Sequence, residues 1–266
     1  MESLLSLANC SFSYEEGAFS LQDVSLGTDG RELLGIVGPN GSGKSTLMRL
    51  MSGYYSPQKG AVTLRGRPLS DLGKREAARE LAFLPQSAPP TFEYDVREVV
   101  AMGRYPYLGA FGFPGEDDRR AVQEALEETH AIELADRSFG TLSGGEKQQV
   151  MVASVLAQEP KLMLLDEPAA SLDIHHQSEL MDLLWSLSRE GPGVVMVTHD
   201  LNAAALFCDR LALLSEGRLL RTGVPAEVMD EDLLSEVYET ELRVMQNPVT
   251  DTPMVIVPGR RAHDAR

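Results

Sequence analysis

At 266 residues, with 43% apolar and 24% charged side chains, the chain is long enough for one large or two modest domains and can bury a core. A formal net charge of −16 argues against non-specific nucleic-acid binding, which rests on Lys and Arg neutralising phosphates. Cys10 and Cys208 lie far apart and outside any metal-like spacing, which speaks against a disulfide framework and for a reducing cytoplasm.

The start, Met1-Glu2-Ser3, lacks the basic residues and apolar run of a secretion signal. No apolar stretch approaches the roughly 20 residues that cross a bilayer. The expectation is a chain soluble by itself, whose membrane role, if any, comes through a partner.

Short apolar runs alternate with helical patterns along the chain: Leu33–Val37, Leu81–Leu84, Leu162–Leu165, Val194–Val197 and Arg210–Leu214. Runs of this length suit strands buried on both faces of a helix-covered parallel sheet. A buried helix turn is the competing reading, and the flanking chemistry decides for strands. The first run leads into Gly38-Pro39-Asn40-Gly41-Ser42-Gly43-Lys44-Ser45-Thr46, which fits G-x-x-x-x-G-K-[ST] and precedes a helical stretch, Leu47–Ser52. Its glycines let successive backbone N–H groups converge on phosphate oxygens, and the following helix adds its positive end. Lys44 is expected at the β- and γ-phosphates of ATP and the Ser45 hydroxyl on Mg²⁺.

From about residue 87 to 160 the pattern is mostly helical, with Ala121, Val122, Ala125, Leu126 and Ile132 forming an apolar stripe. Within this insertion, Ser143 and Glu146 have capping-box spacing, which starts a helix running to about Gln158 before Pro160. A lone S-x-x-E is usually only a cap, worth about 1 kcal/mol. Gly144 and Gly145 in its first turn cost helix propensity, and suit a helix end that a phosphate approaches closely.

Next, Leu162–Leu165 ends in Asp166-Glu167-Pro168. Carboxylates at the end of a buried strand are costly unless they meet a cation or a positioned water. Asp166 suits the Mg²⁺-supporting acid, and Glu167 the residue that orients and deprotonates the attacking water. After about Ala226 a short helical part leads into an extended stretch, Arg243–Val257, and the last residues, 259–266, read as a disordered tail.

Leu142-Ser143-Gly144-Gly145-Glu146 resembles the signature of ATP-binding-cassette (ABC) proteins. That resemblance implies an α/β P-loop NTPase of RecA-like type, with a mostly parallel sheet, an N-terminal antiparallel β portion and a helical insertion. It places the core at 1–86 and 160–225, the helical subdomain at 87–159 and a C-terminal extension at 226–258 of one ATPase domain, 1–258. It implies that Tyr14 stacks on adenine and that Gln86 contacts Mg²⁺ and water. Ser171-Leu172-Asp173 would cross a dimer interface, and His199 would contact the γ-phosphate. Two copies would pack head to tail, with each ATP between the phosphate loop of one and Ser143/Gly145 of the other.

Three further stretches are similar to the ATPase subunits of importers for iron–siderophore complexes, heme and cobalamin. These are Val100-Ala101-Met102-Gly103-Arg104-Tyr105-Pro106-Tyr107, Leu172-Asp173-Ile174-His175-His176-Gln177 and Thr198-His199-Asp200-Leu201-Asn202-Ala203-Ala204, together with the tail Asn247–Pro253. Gln149 stands where Arg is usual and Ala169 where Thr is usual. The resemblance implies a homodimer on the cytoplasmic face of the cell membrane, coupled to transmembrane permease subunits and indirectly to a substrate-binding protein, with no nucleic acid. The segment from Arg104 to Phe113 lies where a permease helix is expected to dock, and its Tyr105, Tyr107, Phe111 and Phe113 read either as that apolar contact surface or as a partly buried loop. The alternative is a soluble cassette ATPase acting on nucleic acid or ribosomes; such proteins usually carry two cassettes, long coiled coils or zinc sites. A regulatory module without turnover is disfavoured by Glu167 and His199.

Overall fold

A computed structural model describes residues 3–15, 19–86, 94–109, 112–170 and 172–259. In chain order, an antiparallel start comprises β1 (Leu5–Ser13) and β2 (Ser20–Thr28); β3 (Leu33–Val37) then feeds α1 (Lys44–Met51). There follow β4 (Lys59–Leu64), β5 (Arg67–Pro68), α2 (Lys74–Glu80) and β6 (Leu81–Leu84). Three helices come next: α3 (Val96–Ala101), α4 (Glu116–Glu128) and α5 (Gly144–Leu156). The chain returns through β7 (Leu162–Asp166), α6 (Ile174–Glu190), β8 (Gly193–Val197), α7 (Leu201–Phe207) and β9 (Arg210–Ser215). It closes with β10 (Arg218–Gly223), α8 (Pro225–Val228), α9 (Glu231–Val237), β11 (Arg243–Gln246) and β12 (Pro253–Ile256).

The central sheet has the order β10-β9-β3-β8-β7-β6, parallel from β9 to β6 with β10 antiparallel at one edge. Strands β3, β7 and β8 are buried at every position, as their unbroken apolar runs require. Alternation then sorts their side chains between two cores. Leu34, Ile36, Leu164, Val195 and Leu214 face α1 and the antiparallel sheet β2-β1-β4-β5, while Leu33, Val37, Leu165, Met196 and Leu213 face α6, α7 and α9. The expected α/β architecture is the one observed.

A third cluster belongs to the inserted helices: Val96, Val99 and Val100 of α3, Val122 and Leu126 of α4, and Val150 and Ala153 of α5 pack on one another. Helix α5 stops at Leu156, two residues short of the expected end, because Glu159 turns back at φ 50° before Pro160.

Candidate functional site

Four chain segments meet at the carboxyl ends of adjacent parallel strands: the loop after β3, Gln86 after β6, Asp166-Glu167 closing β7, and His199 after β8. In open α/β sheets ligands bind at this edge. Here the segments enclose a cleft of about 750 Å³ lined by Tyr14, Phe19, Asn40, Gly41, Gly43, Lys44, Ser45, Thr46, Gln86, Glu167 and His199. Gly38, Pro39 and Ser42 complete the loop from behind. Gly38 has φ 148°, and a Cβ there would lie 2.0 Å from the Leu214 carbonyl, so the loop can hug β9 only through glycine.

Lys44 begins α1, is buried, and donates through Nζ to the carbonyl oxygens of Gly38 (2.8 Å) and Pro39 (2.9 Å). Burial pulls its pKa down, and the carboxylates of Glu167 and Asp166 oppose that pull. Ser45 Oγ donates to Asp166 Oδ1 at 3.3 Å. Burial pushes the Asp166 carboxyl above its ordinary range, partly offset by the Ser45 bond and reinforced by the neighbouring Glu167 charge. Gln86 Nε2 donates to Glu167 Oε2 at 2.7 Å, and His199 Nδ1 stands 3.9 Å from the same oxygen. Glu167 sits at φ 52°, a left-handed conformation that costs a non-glycine residue on the order of 1 kcal/mol. Its amide still donates to the Val197 carbonyl of β8 at 3.1 Å, which anchors the residue to the sheet edge.

The donor set of Ser45, Asp166 and Gln86 is all oxygen-bearing and includes one costly buried carboxylate. It fits Mg²⁺, which takes few protein ligands and completes its shell with water and phosphate. These residues would hold the ion, and a bound ion would neutralise phosphate charge.

Tyr14 reaches the cleft rim, its hydroxyl 3.0 Å from Thr46 Oγ1 and accepting from Arg49 at 3.3 Å. Its ring packs edge-on against Phe12 and Tyr55. Phe19, which lines the cleft, and Arg49, which holds Tyr14, carry no signal in the sequence, since nothing in their local pattern distinguishes them from ordinary strand-flanking and helix residues.

The signature residues lie elsewhere. Ser143 caps α5 as its spacing requires: Ser143 Oγ accepts from the Glu146 amide (3.3 Å), and Glu146 Oε2 accepts from the Ser143 amide (2.7 Å). The Ser143 amide, followed by the Ser143 hydroxyl, holds the Glu146 carboxyl below its usual range. Gly145 borders a separate cavity of about 520 Å³ with Gln149, Leu172 and His176, and no phosphate-loop residue lines it. A Cβ on Gly145 would lie 2.8 Å from the His176 ring. Asp173 caps α6 through the His176 amide (3.0 Å) and pairs with its Nδ1 at 2.9 Å. Ser171 and Phe111 lie outside the described residues, as do 260–266 of the expected disordered tail.

The surface expected of Tyr105, Tyr107 and Phe113 is only partly formed. Tyr105 and Phe113 are exposed (70% and 84%). Tyr107 is instead packed inward, with the Arg104 guanidinium 3.9 Å over its ring and its hydroxyl donating to the Gln158 carbonyl at 3.0 Å. Arg104 is buried and bound by Asp118 (3.0 Å) and Glu159 (2.6 Å), so its charge is matched inside the fold and Tyr107 forms its lid.

A parallel sheet, a phosphate loop that follows β3 and opens a helix, and paired acids at the end of β7, two strands away, define a P-loop nucleotide hydrolase. The chain belongs to the ABC transporter family, whose model matches residues 21–170. It is an ATPase of that family. It is 44% identical over 236 residues to the hemin import ATP-binding protein HmuV of Thermobifida fusca, covering 89% of this chain and 82% of the relative. It is 41% identical over 228 residues to the ferric enterobactin transport ATP-binding protein FepC of Escherichia coli, covering 85% and 84%. Among solved structures it superposes, at 26% identity and a TM-score of 0.86, on an inward-facing ABC transporter assigned to the metal-chelate type, over 98% of this chain and 100% of that one.

Proposed function

We propose that the chain is the ATP-hydrolysing half-motor of a metal-chelate importer, acting as a homodimer on the cytoplasmic face of a membrane permease. The observation that carries this reading is the separation of two halves of one site: the cleft around Lys44 and Glu167 contains no signature residue, while Ser143 and Gly145 present a capped helix end on another face. A second copy, turned head to tail, brings that helix end over the nucleotide of the first. The positive end of α5 then faces the γ-phosphate.

Within the site, the loop amides and Lys44 grip the phosphates, while Ser45, Gln86 and Asp166 hold Mg²⁺. Glu167 takes the proton of the attacking water, Gln86 fixes the orientation of its carboxylate, and His199 contacts the γ-phosphate as charge develops. Tyr14 stacks on the base. Asp173, held at the start of α6, stands beside the partner's loop. The separate core of α3, α4 and α5 supports the reading of a helical subdomain within 87–159. Exposed Tyr105 and Phe113 on it suit a permease contact.

The cargo class follows the relatives named for hemin and ferric enterobactin and the structural neighbour of metal-chelate type. No helix among the described residues is long and apolar enough to cross a membrane, which agrees with coupling through a partner. The test of the composite site mixes two inactive variants, Lys44→Ala and Ser143→Arg. Mixed dimers should regain part of the wild-type turnover through one intact site. No recovery in demonstrated heterodimers would refute phosphate contact across the interface. For the cargo, the co-purified permease complex should transport heme, an iron–siderophore complex or cobalamin into ATP-loaded vesicles; transport of none of the three removes the metal-chelate assignment.

A further inference from the structure

The hairpin β11–β12 contributes nothing to the cleft, yet it is fastened to the helix that starts at the cleft's edge. Asn202, in the first turn of α7, donates through Nδ2 to the Val255 carbonyl (3.1 Å), and its Oδ1 accepts from the Val255 amide (2.7 Å). The side-chain amide thus presents one donor and one acceptor to β12, as a neighbouring strand would. A two-stranded hairpin alone is marginal in water, so this third partner helps to fix it. Val244 and Val255 of the hairpin also pack on the core that includes α7.

The fastening point is three residues from His199. The intervening turn is held by Asp200, whose Oδ1 accepts from the Asn202 (3.0 Å) and Ala203 (2.9 Å) amides and whose Oδ2 accepts from Gln177 Nε2 (3.1 Å). Movement of Asn202 therefore passes to His199 through a turn with little freedom. The same C-terminal region touches the other side of the site. Tyr238, directly after α9, has a buried hydroxyl beside the Gly38 backbone of the phosphate loop; burial pushes its pKa up to about 12, and that backbone opposes the rise.

We propose that Asn202 is a positioning residue through which the C-terminal hairpin fixes the His199 loop, so that hydrolysis, and not nucleotide binding, depends on the hairpin. The proposal rests on His199 acting at the γ-phosphate.

In the full chain, Asn202→Ala should lower kcat for Mg-ATP by about 10-fold to 10²-fold, the scale of small misplacements remote from the chemistry, and leave the ATP titration within about twofold. Val255→Pro deletes the amide that Asn202 accepts from by a change in the hairpin, leaving the sequence of α7 intact, and should give the same kcat loss. Joining Asn202→Ala to His199→Ala should cost nothing beyond His199→Ala alone, since both remove one function. Normal turnover in Asn202→Ala or Val255→Pro beside an inactive His199→Ala overturns the proposal, as does a fully multiplicative double variant or a parallel loss of ATP binding. Normal turnover in His199→Ala instead fails the reading of the site itself.

Discussion

Replacing Glu167 by Gln tests the chemical step most directly. The substitution keeps the side chain's size and its oxygen for the Gln86 Nε2 donor at 2.7 Å, so the cleft should hold its shape. What is lost is a carboxylate able to take a proton from water. General-base removal costs about 10²–10⁴-fold in rate, or about 2.7–5.4 kcal/mol of barrier. Binding should move the other way or not at all, because one negative charge near the phosphates has gone. Lys44 also loses part of the support that raises its pKa, yet the phosphates themselves would keep it protonated. Phosphate release and nucleotide titration on the same preparation separate the two effects. Phosphate release close to wild type in a variant that binds Mg-ATP would refute the role of Glu167 as base.

Lys44→Ala should weaken ATP binding or turnover sharply, read by the same titration, because it removes the charge at the β- and γ-phosphates. Asp166→Asn should abolish turnover yet raise the thermal midpoint measured without Mg-nucleotide at neutral pH. The sign follows from its raised carboxyl: the protonated form is favoured in the fold, and that benefit is lost as pH rises through the raised value, so the ionised acid is a net cost at pH 7. The advantage of Asn should shrink as pH falls into the carboxylate range; a gap constant with pH contradicts it. Arg104→Ala removes a buried guanidinium with its bonds to Asp118 and Glu159 and its packing under Tyr107; because the Glu159 carboxylate reaches solvent, the cost should be about 2–4 kcal/mol. At about 2–4 °C per kcal/mol this lowers the thermal midpoint by roughly 10 °C, and a shift below about 2 °C would contradict the buried pairing.

Much of the cleft was legible because its chemistry is local in sequence. A phosphate loop needs glycine, lysine and a hydroxyl at fixed spacing, and a buried strand ending in two acids advertises its cost. The five apolar runs became parallel strands for the same reason, since a strand covered on both faces has no polar positions to blur its pattern. The start of α5 was equally readable, as Ser143 and Glu146 satisfy each other within one turn.

Contacts between distant segments left no such mark. Tyr107 belongs to an aromatic-rich stretch that reads as surface, and only its position under Arg104, with Gln158 fifty-one residues away, places it inside. Phe19 reaches the cleft because β2 begins beside Gly43, where a Cβ would lie 2.5 Å from its ring. Sequence by itself determined the fold class, the phosphate-loop motif after β3 and the paired acids that end β7, because each is a short-range pattern. Only the tertiary structure decided that Gln86 meets Glu167, that no signature residue lines the cleft, and that Asn202 binds the C-terminal hairpin, because each depends on how separate elements pack.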